Sequence, residues 1–448
     1  MSGSRIAGIL VVLILLTLIP LPPGGLRASQ LSRMADLPVS VDVWPLYRGG
    51  NGTARYLLFS HDIRHGESEP VLVTAADRVI TYIDLKSMRV IRRREYDSNE
   101  WAVVSSNGKF IAVKSNFENR RTGKIIRKVR IEDWEGEVLW EMGAGMRSFF
   151  EPTPTGGFAA YPSANPDMFT DVSELDARLV PEPRPHGLLI YDAHGELILE
   201  DLDPRDFLGG YDGVLSPDGR YLAFGYGVRP ARSKGTSAAS LRDSSELILY
   251  DVERGTELWR KHFNCRSIGS IFVGPGAERL LCFLSKGRLL SDYSRSMLLL
   301  DRAGHLLAER QVGNLGTPTH VSEPVASCDG RFCVFITKDS KAYLIRLEDG
   351  EELWRMERPP GAHGIGCLQV TDDGGALMVA TSKANEPGEY ERELIRLNSD
   401  GEAIARFDGA DIRSGGSVYA GRISPDGRSL WLVQDSALVH YALEGVSR

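Results

Sequence analysis

Residues 214–224 read VLSPDGRYLAF, and the organisation of the whole chain unfolds from that stretch. Two apolar runs flank a tight Ser-Pro-Asp-Gly turn. Gly adopts positive φ without a Cβ penalty, and Asp bonds back to the turn backbone. The stretch therefore predicts a β-hairpin. It returns at 103–113 (VVSSNGKFIAV), 326–335 (ASCDGRFCVF) and 422–433 (RISPDGRSLWLV). Looser copies stand at 151–161 (EPTPTGGFAAY), 272–283 (FVGPGAERLLCF) and 369–379 (QVTDDGGALMV).

A second hairpin follows each first one. Its clearest form is 247–260 (LILYDVERGTELWR), with relatives at 129–140 (VRIEDWEGEVLW), 188–199 (LLIYDAHGELIL), 297–310 (MLLLDRAGHLLAER) and 342–355 (AYLIRLEDGEELWR). Segments 79–92 and 394–407 are weaker relatives. The runs are short, β-rich and evenly spaced, and no helical periodicity separates them. Two hairpins make a four-stranded unit with strands a to d. Units fall near 54–96, 101–142, 149–201, 211–263, 268–312, 320–357, 365–408 and 418–444. A repeat of such units predicts an all-β fold, a β-propeller of four-stranded antiparallel blades. Eight blades are favoured, and seven follow if unit 54–96 is irregular. The last unit lacks its fourth strand, and 39–47 (VSVDVWPLY) is the expected donor, which would leave no long sheet edge open. Residues 31–448 are thus expected to be one domain.

The SPDGR-type hairpin resembles the WD-repeat-like propellers of bacterial envelopes. The Asp-x-x-x-Gly-x-x-x-Trp hairpin resembles PQQ-like repeats, with Trp140, Trp259 and Trp354 at the Trp position. The resemblance spans nearly all of 54–444 and speaks to fold rather than function. The Gly-His and Trp-Asp pairs of true WD repeats are missing. The three Trp side chains read as packing between blades, not as cofactor contacts.

Ahead of the repeat, Arg5 precedes the apolar run 6–21 (IAGILVVLILLTLIPL) and a Pro-Pro-Gly-Gly turn at 22–25. This is the order of a secretory signal. Residues 1–30 read equally as a cleaved signal peptide or as a retained membrane anchor, and either exports the rest of the chain to an extracytoplasmic place, periplasmic or secreted. Hydrophobic residues at 42% and charged residues at 25% suit a globular core. A net charge of −7 argues against a nucleic-acid partner.

Chemistry-bearing patterns are sparse. Cys265, Cys282, Cys328, Cys333 and Cys367 are odd in number and irregularly spaced, so neither a disulfide framework nor a zinc site is expected. They read as reduced, with Cys282, Cys333 and Cys367 buried in strands. No adjacent cysteine pair or acidic calcium loop supports quinoprotein chemistry, so no cofactor is expected. Residues 424–431 (SPDGRSLW) fall one position short of a sialidase Asp box, and His61 with His65 reads as a solvated loop pair rather than a metal site. The chain shows no Gly-x-Ser-x-Gly elbow and ends soon after the last strand, so no hydrolase domain is expected.

The b–c connections are where the repeats diverge: 115–128, 162–187, 227–246, 285–296 and 382–392 are long. In a propeller these emerge on one face, and loops there carry function. Two are basic, one with Arg120, Arg121 and Lys124, the other with Arg229, Arg232 and Lys234; the connection between them is acidic. A basic sector on an acidic protein fits an anionic partner, an acidic protein or an envelope polymer. The expectation is a non-catalytic binding scaffold, possibly tethered through residues 6–21. The competing expectation is an enzyme of hydrolase, lyase or quinoprotein type with convergent polar groups in the central channel.

Overall fold

The structure is a computed structural model that describes residues 31–38 and most of 55–443. The stretches of five or more residues outside that description are 1–30, 39–54, 64–70, 144–149, 161–185, 229–243, 287–293, 313–323, 384–389, 408–417 and 444–448. The described residues form four-stranded antiparallel sheets that follow one another along the chain, at 55–95, 100–143, 150–203, 207–263, 267–311, 325–357, 362–407 and 418–443, the last completed by 31–38. We number them blades 1 to 8. Strands run a-b-c-d across each blade in chain order. Strands a pack together between blades 2 and 3, 4 and 5, 6 and 7, and 7 and 8, and strand a of blade 8 meets strand a of blade 1. The sheets therefore close into a β-propeller.

Burial follows from position in the blade. Strand c of blade 4, Ser244–Asp251, has neighbours on both edges and both faces and is buried almost throughout. Strand d of the same blade, Thr256–Phe263, has one edge neighbour and alternates between exposed and half-buried. Between strands c and d the register slips at one matching place in blades 1 to 7. The extra residue on strand d is Ile91, Leu139, Ile198, Leu258, Leu307, Leu353 and Ile404 in turn, an aliphatic side chain each time. A bulge of this kind raises the local twist, which fans the blades around the axis.

The residue after each bulge meets the next blade, and its identity alternates. In blades 2, 4 and 6 it is Trp. Trp140 Nε1 donates to the Gly156 carbonyl at 3.2 Å, Trp259 Nε1 to that of Arg302 at 2.9 Å, and Trp354 Nε1 to that of Gly374 at 3.4 Å. Trp140 lies on the c–d turn of blade 3, where Gly195 has φ 78° and a Cβ would stand 2.9 Å from the indole. Blades 1, 3, 5 and 7 carry Arg92, Leu199, Ala308 and Ala405 at that position. Ion pairs link three of the seams there: Arg94 to Glu132, Asp201 to Arg260, and Arg310 to Glu352. The expectation that the Trp residues pack blade on blade holds.

Two expectations need correction. The strand that completes blade 8 is Leu31–Pro38, not 39–47; Leu31 pairs with Leu443 and Pro38 with Ala437. Residues 39–47 lie outside the described residues. The β-rich composition of 39–47 pointed to the wrong stretch because an outermost strand needs backbone partners more than β-propensity. Cys367, expected to be buried, lies half-buried in the strand Ala362–Val370, and Cys328 is exposed in the turn of its hairpin. Cys265, Cys282 and Cys333 are buried and Cys367 is half-buried; all five thiols are free.

Candidate binding face

Alternating strand direction sends every a–b and c–d turn to one end of the ring and every b–c and d–a connection to the other. The a–b turns share a built interior. A Ser or Thr hydroxyl opens the a–b turns of blades 2, 3, 4, 6, 7 and 8, as in Ser105 to Asn107 Oδ1 at 2.7 Å, Ser327 to Asp329 at 2.7 Å and Thr371 to Asp373 at 2.5 Å. The same oxygen accepts from the backbone N–H five residues on, at 2.9 Å for Tyr221 and 3.0 Å for Phe332. The turns then bond to one another, between successive blades and, through Ser106, from blade 2 to blade 4. Asn107 Nδ2 donates to the Pro154 carbonyl at 2.9 Å, Ser106 Oγ to that of Pro217 at 2.7 Å, and the Asp329 N–H to Asp372 at 3.1 Å. Partial burial opposes ionisation of Asp329, yet hydrogen bonds from Ser327 and Arg331 hold its carboxyl below the usual range. The Thr371 hydroxyl does the same for Asp373. These aspartates of the a–b turns are committed to turn and ring contacts.

The opposite face carries the variable parts. Blades 1, 6 and 8 join strands b and c by short turns, after Ala76, Ile336 and Gln434. Blades 3, 4, 5 and 7 carry the longer connections, and blade 2 reaches its four-residue connection at 120–123 through strands b and c that extend past the sheet, so four of these five lie on one arc of the ring. Arg120 and Arg121 lie in the 120–123 connection of blade 2, and Arg229, Arg232 and Lys234 in 229–243 of blade 4; all five are outside the described residues. Lys124 is described in its backbone, as the first residue of strand c of blade 2, opposite Asn119. The attachment points confirm that the two basic groups sit on non-adjacent blades, with blade 3 and its acidic connection between them. Whether the side chains form one sector lies outside the described residues.

Segment 115–128 was expected to be a loop, and it is mostly strand. Strand b of blade 2 runs Phe110–Asn119 and strand c runs Lys124–Asp133. Strand a pairs only as far as Ser115, and strand d only as far as Lys128. The pairs from Asn116 with Arg127 to Asn119 with Lys124 therefore form a two-stranded ribbon beyond the sheet. At about 3.3 Å per residue it projects roughly 13 Å. The sequence signal for it was the trio Phe117, Ile125 and Ile126, aromatic and β-branched residues standing within an otherwise polar stretch.

Beneath the 229–243 connection the blade 3–4 seam is braced by charge. Tyr226 and Glu246 are paired neighbours on strands b and c, and Tyr226 Oη donates to Glu246 at 2.7 Å. Arg260 reaches Glu246 at 2.9 Å, Glu257 at 2.7 Å and, across the seam, Asp201 at 2.5 Å. His262 Nδ1 lies 3.2 Å from the other Glu246 oxygen. Burial works against the Arg260 charge, but hydrogen bonds to Glu257 and Glu246 hold the guanidinium protonated still more firmly. Burial, then the bond to Asp201, pushes the Tyr250 phenol upward. Groups held so firmly brace the floor of the face rather than exchange protons.

The channel-lining strands carry little chemistry among the described residues. Strand a of blade 5, Ser267–Val273 (SIGSIFV), and strand a of blade 7, Ala362–Val370 (AHGIGCLQV), present mostly small and apolar side chains; the exceptions are His363, which is exposed, and Gln369, which is bonded to the Ile423 backbone. Burial pushes the Cys367 thiol up to about 12, so no thiolate forms there. Glu100 is paired with Arg130 at 2.5 Å, and Arg422 donates to the Leu368 and Gly421 carbonyls. No cluster of three or more His, Cys, Asp or Glu among the described residues has the disposition of a metal site.

No protein-family model and no curated protein matches the chain by sequence. Solved structures do match it in shape. The Dos1 propeller superposes with a TM-score of 0.50 at 13% identity, over 92% of this chain and 95% of that one. The C-terminal WD40 domain of Sif2 gives 0.50 at 9% identity, over 93% and 99%. BamB from Moraxella catarrhalis gives 0.46 at 10% identity, over 93% and 99%. At such identities the likeness is one of fold: this chain is a β-propeller.

Proposed function

We propose that the chain is a non-catalytic, extracytoplasmic scaffold of the PQQ-like and WD-repeat-like kind that binds an anionic partner, a protein or an envelope polymer, through its b–c face. The observation that carries the reading is the division of labour between the two ends of the ring. The turn end is consumed by turn-to-turn hydrogen bonds, whereas the long connections gather at the other end on a braced floor. Arg120, Arg121 and Lys124 at the tip of the blade 2 ribbon, with Arg229, Arg232 and Lys234 on blade 4, are the proposed contacts. The run 6–21 supports export. Leu31 lies opposite Leu443, at the turn end of blade 8. A tether ending there would turn the b–c face away from the membrane. Nine residues, 22–30, would span at most about 30 Å.

The test is affinity capture from the native envelope on immobilised protein, with an Arg120→Ser/Arg121→Ser/Lys124→Ser variant beside the wild type. The partner should elute as salt rises, because exposed charges are screened within about 8–10 Å at physiological ionic strength. The triple variant should retain less of it at an unchanged melting temperature. A partner held equally by both proteins at every salt concentration would refute the basic-face reading.

A further inference from the structure

His440 lies in strand c of blade 8, Ala437–Leu443, paired with Trp431 on strand b and with Ala35 on the closing strand. It is 4% exposed, and among the described residues neither ring nitrogen has a hydrogen-bond partner. Its ring stacks on Trp431 with centroids 4.0 Å apart and planes 10° from parallel.

Strand alternation fixes which seam it faces. A Cβ on Gly421 would meet Leu368 and Leu377 of blade 7, so Gly421 and its partner Leu432 face that blade. Trp431 and His440, one step along, face blade 1. On blade 1, Val71, Val73, Ile80 and Tyr82 pack against blade 2, which leaves Leu72, Thr74, Thr81 and Ile83 towards blade 8. These four are buried, and Thr74 Oγ1 is likewise without a partner. The seam that closes the ring thus sets an unpartnered imidazole among apolar and hydroxyl side chains. In the ladder Arg422 is paired with Trp431, and its guanidinium is spent on the Leu368 and Gly421 carbonyls; on the facing side of blade 1, Arg93 is paired with Thr81 and bridged to Glu95 at 2.8 Å. On the closing strand the ionisable residues beside Ala35 are Arg33 and Asp36, opposite Tyr441 and Val439.

We propose that His440 makes the blade 8–blade 1 seam an acid-sensitive latch: the neutral ring lets the propeller close, and protonation opens the seam and frees the Leu31–Pro38 strand. An imidazolium carries two N–H donors, and the described residues of this site place no acceptor on either. Stacking on the Trp431 face offsets only part of the lost hydration. Burial accordingly lowers the affinity of the folded state for the proton. The opened state, with an ordinary imidazole, takes it up near pH 6.5. Closure is therefore fully favoured above about pH 6.5 and weakens as pH falls below it.

Hydrogen exchange of the full chain, followed by mass spectrometry at pH 7.5, 6.5 and 5.5 and corrected for intrinsic exchange, tests the latch. In the wild type, protection of Leu31–Pro38 and Ala437–Leu443 should fall up to about tenfold per pH unit below 6.5. Blade 5, across the ring, should change far less. His440→Phe keeps a flat ring on Trp431 and should remove the extra pH dependence; His440→Leu is the second variant should Phe fold poorly. Equal pH dependence in wild type and variants, or equal loss of protection in all blades, would overturn the proposal.

Discussion

At the scale of the residue, the alternation after each bulge is the sharpest finding. Trp140, Trp259 and Trp354 each fill the gap to the following blade and hand an N–H to a turn carbonyl there. Trp140 is 9% exposed and touches Phe158 and Tyr191 with ring centroids 6.0 and 6.1 Å apart. Trp140→Ala should cost about 3–5 kcal/mol, since burial, ring packing and a hydrogen bond vanish together. Chemical denaturation of wild type and variant reads this directly; a loss below about 1 kcal/mol would mean that the seam does not depend on the indole. The Trp positions were legible in the sequence because they recur within a repeated hairpin. Their restriction to alternate blades was visible too, but its meaning was not: only the structure shows that the remaining positions, Arg92, Leu199, Ala308 and Ala405, occupy the same place in the ladder.

At the scale of the element, six of the eight seams fall into two kinds. Trp-filled seams follow blades 2, 4 and 6; charge-bridged seams follow blades 1, 3 and 5. The charged ones differ in burial, and burial decides their worth. Glu246 is 0% exposed, so removing Arg260 takes the guanidinium from a carboxylate held away from water, leaving the Tyr226 hydroxyl and His262 beside it. Arg260→Ala should therefore cost about 3 kcal/mol. The Arg310 side chain is 40% exposed, and Arg310→Ala should cost under about 1 kcal/mol. Urea titrations of the two variants in one buffer check the order; equal losses would show that depth of burial is not what sets the strength of these seams.

Legibility also divides by element. The hairpins were readable because Asp-Gly and Asn-Gly turns punctuate apolar runs at a steady interval, and the expected units match the blades to within a few residues. Three things were not readable. The closing strand 31–38 (LSRMADLP) lacks β-branched residues, and its pairing is set by ring geometry rather than by its composition. The blade 2 ribbon was hidden by its charges, which suggested a loop although Phe117, Ile125 and Ile126 are strand-forming residues. The buried networks of Arg260 and His440 join residues far apart in sequence, so no local pattern announces them. Of the proposed site, the residue types and their assignment to b–c connections were legible in the sequence; the described residues include the backbone of Lys124 alone. The separation of the two basic groups by blade 3 was also legible, because blade order follows chain order.

At the scale of the whole molecule, closing the last blade with a strand from the opposite end of the chain ties both ends of the repeat into one sheet. That closure sets the orientation of the faces. The chain enters at the turn end, where acids and hydroxyls are occupied, and the b–c end carries the variable connections. Position-specific photocrosslinking compares the two faces in the native envelope. A crosslinking side chain at Lys124, on the tip of the blade 2 ribbon, should capture a partner, and capture should weaken when Arg120 and Arg121 are replaced by Ser. The same side chain at Glu348, on the c–d turn of blade 6, should capture none. Crosslinks from Glu348 with none from Lys124 would contradict the account and move the binding surface to the turn end.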